Sequence, residues 1–585
     1  MSWRAWEDAR HGQAVLAVLF AAMVAAAALL LWEGRGLTMF VDEWFFGYLA
    51  RQHTTVSALL EPDNGHLAVI PILITKASLW LFGAGTVPLR LVAVATHLSI
   101  AAMLFVLLRR ALGALWALVP VVLFLFLGAA VDVLVGSHAM PIELSVAGGL
   151  GAWLTLRPHA LGGDVAACAL LMVGIASNGF VLPFLAGAAV IVWLDTRSGW
   201  RRQWIVAVPL ALYLLWRLTA GSSGESDFAI SNLAGLPAFA FDSLAAELAS
   251  VSGLFTEPGG TQNVFQLGPG QALAGVGLVG IGAAVAVRGY RPPRPAVPAL
   301  VGLLTLWIAT GMVASPARQP DVARYIYAGV ALLLLLAGEA IAGQPSERRR
   351  ALALALSGVC ALGLAPNLKA IRDGGAFFRE QSSQDRAVFA AADLLPRSAS
   401  DEALLEVEAE QPEGGYADLP FTLSDYRAAR RRHGTPAYSL AQLKAADPAS
   451  REDADLLLGR ALPIELTAAS VAPRPLPPGT EVGQEGGRLR WRHGCAEFEP
   501  LMSAAQLLVP LPPGGLWLRP DPGPPMAVGL RRFGDGYAVK AEAIGGQSSE
   551  IQLLPVAAAR EWQAQLLPKQ PLLVCAVAPS GGKGR

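Results

Sequence analysis

Apolar runs of roughly 17 to 23 residues recur along the first two thirds of the chain, each long enough to cross a bilayer as a helix with its backbone groups satisfied internally. They fall near residues 14–32, 66–82, 87–108, 112–128, 142–156, 160–177, 179–194, 204–219, 270–287, 296–313, 324–342 and 350–365. After residue 365 the hydrophobicity stops. Helical pieces such as SSQDRAVFAAADLLP and SREDADLLLGRAL then give way to alternating runs, GGRLRWRHGCAEFEP, MAVGLRRFGDGYAVKAEA and QPLLVCAVAP, separated by Gly-Gly and Asp-Gly turns that read as strands. The pattern predicts a polytopic α-helical membrane protein over residues 1–365. A soluble α+β domain ending in a β-sandwich-like part follows over residues 366–585.

Cytoplasmic loops collect Lys and Arg, and this sets the orientation. Arg109/Arg110, Arg157, Arg197/Arg201/Arg202, Arg288/Arg291/Arg294 and Arg348/Arg349/Arg350 all belong inside. They alternate correctly only if one early run does not cross. The best candidate is 66–82, which carries Pro71 and Lys76 and follows a polar turn; it is expected to lie along the outer face as a juxtamembrane helix. About eleven crossings then place the N-terminus inside and the C-terminal domain outside. Arg4 and Arg10 ahead of the first run also suit a signal sequence, whose loss would leave the later spans in place. The cations left at the outer side are Arg35, Arg51, Lys76, Arg90, Arg217, Arg318 and Arg324. An anionic ligand at that face accounts for such exceptions, and so does interfacial snorkelling.

Composition narrows the function classes. The 585 residues have a mean hydropathy of +0.46 and only 15% charged residues, too apolar for a soluble chain. Lys and Arg total 45 against 45 Asp and Glu, so the basic excess of a nucleic-acid binder is absent. Gly 61 and Pro 41 fall short of a low-complexity composition.

Candidate chemistry begins just past the first span. In TMFVDEWFFGYLARQ the adjacent carboxylates Asp42 and Glu43 precede Trp44, Phe45, Tyr48 and Leu49 at helical spacing, which describes a short interfacial helix. A carboxylate at the edge of low-dielectric surroundings gains proton affinity and suits a general base acting on a hydroxyl. Asp42 also fits as a simple helix cap, with Glu43 helped by the dipole. Downstream, Asn64 and Gly65 form a tight turn and His66 opens the surface-lying helix; Lys76 and Arg90 follow on the outer side, where several donors together hold a phosphate. No zinc-ligand spacing occurs, no cofactor is required, and a divalent cation at Asp42 and Glu43 is compatible with the sequence.

These features resemble the GT-C class of polytopic glycosyltransferases that use polyprenyl-phosphate-linked sugars, including protein O-mannosyltransferases and aminoarabinose transferases. The resemblance covers about residues 1–365 and rests on Asp42-Glu43 after the first span, the NGH turn with its apolar helix, and SPARQPDVARYIY before the penultimate span. It implies that residues 1–365 are the catalytic domain and that Asp42, with Glu43, is the catalytic carboxylate pair. It further implies that His66, Lys76, Arg90, Arg318, Arg324 and Tyr325 bind the lipid phosphate. Glu143, in GSHAMPIELS, takes the place of a second acidic residue, with His138 beside it. The implied reaction is inverting transfer of a sugar from a polyprenyl-phosphate donor to a hydroxyl of a glycan, lipid or protein acceptor. It would take place at the outer face of a bacterial inner membrane. A transporter, or a polysaccharide polymerase or ligase using a similar donor, is the alternative. Of the four cysteines, Cys168 and Cys360 lie in spans, while Cys495 and Cys575 share the outer domain and are a disulfide candidate.

Overall fold

A computed structural model of the chain describes residues 3–40, 43–44, 59–62, 65–156, 161–195, 199–220, 228–255, 268–288, 291–316, 318–395, 422–461, 464–468, 472–512, 514–534, 539–543, 549–553 and 562–577. Asp42, Phe45, Tyr48, Leu49, Arg51 and Asn64 lie outside the described residues. The chain folds as two compact units, one reaching Arg379 and one starting at Glu380.

The first unit is helical. Among the described residues seven helical stretches are long and apolar enough to cross a membrane: Gly12–Glu33, Val87–Leu112, Ala114–Val135 (interrupted after Leu125), Gly268–Val287, Arg294–Gly311, Ala323–Ala342 and the start of Ser346–Leu394. Shorter apolar helices are Val69–Phe82, Leu161–Ile175, Gly179–Leu194 and Trp204–Thr219. The protein is thus built as a multi-pass membrane protein. At 1.5 Å per residue the 49-residue helix Ser346–Leu394 is about 70 Å long, roughly twice the hydrocarbon thickness, so only part of it can lie in a bilayer.

Contacts between helix ends sort the unit into two faces. At one face, the Arg202 guanidinium donates to the Leu156 carbonyl at 3.0 Å and pairs with Asp195 at 2.7 Å and Asp164 at 2.5 Å. The opposite face gathers residues 33–40, 43, 128–139, 176–181, 312–316 and 318–322. The Thr86 hydroxyl donates there to the Leu37 carbonyl at 2.8 Å. The amide of Asn367 accepts from Ala129 N–H at 3.0 Å and donates to the Ser250 and Gly363 carbonyls at 2.9 and 2.8 Å.

Two helices begin and end at that second face. Val69–Phe82 starts with Ile70 N–H on the Ala176 carbonyl (3.0 Å) and is followed by the Thr86 contact to Leu37. It lies along the face as the sequence predicts, with Trp80 and Phe82 exposed, although it starts at Val69 and leaves His66 in the preceding turn. Leu236–Ser252, in a region the sequence reads only as an outer loop, packs its start on Gly311 and its end near Gly363 and Pro366. Its hidden amphipathicity is the reason: Asp242 and Glu247 interrupt an otherwise apolar run that is too short to span.

Helix contacts in such a unit gain little from expelling water and depend on close packing. Gly148 lies so near Leu170 and Gly174 that a Cβ would come within 2.6 Å of the Leu170 carbonyl oxygen.

The second unit holds helices Leu423–His433, Leu440–Lys444 and Pro448–Ala461 and two antiparallel sheets. Thr422 and Ser439 open the first two helices with capping boxes. In chain order the described strands are β1 (Ile464–Ala468), β2 (Gly483–Glu485), β3 (Gly487–Arg492), β4 (Cys495–Pro500), β5 (Gln506–Pro510), β6 (Leu516–Pro520), β7 (Met526–Arg531), β8 (Val539–Ala543), β9 (Ser549–Leu553), β10 (Gln563–Leu567) and β11 (Leu572–Ala576). One sheet has the order β1-β9-β6-β11-β4-β3 and the other β2-β5-β10-β7-β8. Buried Phe498, Leu518 and Val574 in one sheet and Leu507, Val528, Leu530 and Leu566 in the other give each an apolar face. The β3–β4 hairpin turns through His493 and Gly494, both at positive φ, the geometry of a two-residue primed turn. Asp455 accepts N–H bonds from Arg532, Phe533 and Gly534 and pins the Pro448–Ala461 helix to the segment after β7.

Cys495 and Cys575 form a disulfide across a sequence separation of 80, buried with Trp517 and Val577. On the chain-entropy model, closing a loop of that length stabilises the unit by about 4 kcal/mol. The double substitution Cys495→Ser/Cys575→Ser in the full chain should lower amide hydrogen-exchange protection in β4 and β11 by about that amount. Protection in the helical unit should not change.

Candidate functional site

Two polar clusters occupy the face that gathers residues 33–40, 43, 312–316 and 318–322. In the first, Glu43 is buried, and its Oε2 accepts the Phe40 N–H at 3.0 Å while its own N–H donates to the Phe40 carbonyl at 3.0 Å. Burial raises the proton affinity of its carboxyl. The Ser137 hydroxyl, the charge of His138, the Phe40 N–H and the charge of Arg90 oppose that rise. His138 Nε2 is 2.5 Å from Asp132 Oδ1, and its ring packs 5.1 Å from Phe40 and 6.3 Å from Phe378. Arg90 is buried against Gly34, where a Cβ would meet its Nη1 at 2.7 Å. At the end of the first span Glu33 pairs with Arg379 at 2.7 Å.

The backbone explains why these groups meet. The run read as 112–128 ends as a helix at Leu125, Gly128 turns against Asn367, and a short helix Val131–Val135 follows. This connection brings Asp132, Ser137 and His138 to the face. Asp132 is the residue that sequence reasoning misses, since VDVLVG carries a single acid among apolar residues between two predicted spans; its only signal is the polar pair Ser137-His138 that follows.

The second cluster centres on His66. Burial, followed by the charges of Arg318, Arg324 and Arg217, lowers the His66 imidazole to about 4, so the ring is neutral at ordinary pH. Its Nδ1 edge abuts Gly179, where a Cβ would come within 2.8 Å. The Arg324 guanidinium lies 5.5 Å from the Tyr325 ring centroid, and that ring packs 6.0 Å from Phe180. Three cations from two segments, Arg217 in one and Arg318 and Arg324 in the other, thus act on one uncharged imidazole. Such a group has the charge to hold an anion, with the ring able to offer a neutral hydrogen bond. Arg217, an end-of-span cation in the sequence, joins this group.

No family model matches the chain, and no curated protein does. Two solved structures are similar to it. One is ArnT from Cupriavidus metallidurans bound to undecaprenyl phosphate, at 15% identity and a TM-score of 0.41, covering 73% of this chain and 89% of that one. The other is ArnT from Cupriavidus metallidurans in the apo state, at 15% identity and a TM-score of 0.43, covering 74% and 91%.

The other sequence candidates are placed as follows. Arg90 acts on Glu43, so it belongs to the first cluster. Lys76 is half-buried on Val69–Phe82. Glu143 is buried in the first turn of Met140–Thr155, within electrostatic reach of Tyr327, whose hydroxyl is 2.9 Å from His97 Nδ1. Among the described residues no three of His, Cys, Asp and Glu converge as a metal site.

An unfolded His66 titrates near 6.5 and the folded one near 4, so the unfolded chain binds the extra proton between those values. The contribution of His66 therefore favours folding increasingly as pH rises through that window. Imidazole NMR of the full chain should show His66 neutral down to about pH 5. In Arg318→Ala its titration should move up towards 6.5, because one opposing charge is gone.

Proposed function

We propose that the chain transfers a sugar, with inversion, from a polyprenyl-phosphate donor to a hydroxyl acceptor at this face of the membrane. The observation that carries the reading is the convergence of Arg217, Arg318 and Arg324 on a neutral His66, at the face where Asp42-Glu43 follows the first span. A departing phosphate needs cations where its charge grows, and an attacking hydroxyl needs a base. In the step, the acceptor oxygen bonds to sugar C1 as the bond from C1 to the phosphate oxygen breaks. The acceptor proton passes to the Asp42 carboxylate, and the polyprenyl phosphate leaves with the bonding electrons, paired with Arg318 and Arg324. Positive charge builds at C1 in the oxocarbenium manner, and attack opposite the leaving group inverts the centre. In this reading the membrane is a bacterial inner membrane and the second unit is extracytoplasmic. The donor is a lipid-linked sugar, and the acceptor is a glycan, lipid or protein.

The buried His97–Tyr327 pair with Glu143 nearby favours a second reading, a carrier that uses polar groups within the membrane. Sugar transfer and solute flux separate the two. Membranes containing the wild-type chain should transfer label from a polyprenyl-phosphate sugar, and Asp42→Asn should reduce the rate at least about 100-fold. Arg324→Ala should lose about 10²–10³-fold, in line with removal of one donor to a developing anion. Undiminished transfer by Asp42→Asn would remove that residue as base. Flux of a solute without transfer would favour the carrier.

A further inference from the structure

The transfer reading assigns no part to Asp132, although this buried carboxylate lies in the same short segment as both residues that face Glu43. Its Oδ1 is 2.5 Å from His138 Nε2, and the two side chains are 8% and 9% exposed. A histidine held at one nitrogen by a carboxylate has its ring plane and orientation fixed. Gly136 reinforces this: a Cβ there would come within 2.3 Å of the ring, so only glycine leaves the imidazole its place. The ring then rests on Phe40, whose N–H and carbonyl hold Glu43, and the neighbouring Ser137 hydroxyl favours the charged form of the Glu43 carboxyl.

Among the described residues, the charged groups that act on Glu43 are His138 and Arg90, with Asp132 bonded to His138 and the Glu33–Arg379 pair at the end of the first span. A buried imidazole walled by Phe40 and Phe378 keeps a positive charge only beside a compensating anion. We propose that Asp132 is a positioning residue for the acidic pair: through His138 it locks the 137–139 turn and holds Glu43 as an anion, leaving Asp42 as the single base. Charge then alternates from Asp132 to His138 to Glu43.

The role in transfer rests on the reading above, whereas the control of Glu43 does not, and the test separates them. Infrared titration of the full chain follows the protonated carboxyl of Glu43, identified as the band missing in Glu43→Gln. In Asp132→Asn the band should persist to a pH at least about one unit higher than in wild type, tenfold in proton activity. Asp132→Glu should restore the wild-type titration. His138→Gln should give the same upward shift and serves as the decisive variant should Asp132→Asn not fold. An unchanged Glu43 titration in the folded variants overturns the proposal, and so does failure of Asp132→Glu to restore it. In the transfer assay, the acid limb of the pH–rate profile should move up with the infrared shift in Asp132→Asn, while the alkaline rate approaches that of wild type. An equal loss at every pH means a purely structural role and also overturns it. A wild-type chain without transfer counts against the transferase reading alone, and the infrared titration still decides the role of Asp132.

Discussion

Hydrocarbon supplies no hydrogen-bond partner to an open peptide group, and the helical unit is arranged around that constraint. Regular helices take the apolar depth, and the backbone at 34–40, 126–139, 176–181, 312–316 and 318–322, irregular or in short helical turns, collects at one face. Irregular backbone brings polar side chains with it, because its own N–H and carbonyl groups need partners. Phe40 with Glu43, Thr86 with Leu37, and Asn367 with Ala129, Ser250 and Gly363 are the result. Concentration of chemistry at that face follows from the same bonds that make the fold possible in a membrane.

The two clusters use this setting differently. Around Glu43 the carboxyl is buried, which raises its proton affinity, and Ser137, His138, the Phe40 N–H and Arg90 oppose that rise. Around His66 three guanidinium groups surround a ring from which burial and repulsion have removed the proton. One cluster opposes the neutralisation of a buried acid and the other favours the neutral form of a ring.

Much of the architecture was legible from charge and apolar length. The Arg clusters, together with the short run carrying Pro71 and Lys76, correctly imply that the Val69–Phe82 helix lies along the face, because cations avoid the hydrocarbon and a 14-residue helix is too short to cross. The cations Arg318 and Arg324, out of place by the same rule, mark the surroundings of His66, which lies far earlier in the chain. Two features were not legible. The Leu236–Ser252 helix balances apolar and acidic residues too evenly to stand out, and the Asp132–His138 contact joins two residues of a connection in which the sequence marks only His138. Asp42 lies outside the described residues, so its placement stays an expectation from the sequence.

The Asn367 side chain is a mechanical joint as well as a polar partner. One amide grips the 128–130 turn, the end of Leu236–Ser252 and its own helix at Gly363. None of these segments can swing without dragging the other two. Leu236–Ser252 is therefore tied through one side chain to both the 128–130 turn and the Ser346–Leu394 helix, a brace that its own length and composition do not supply.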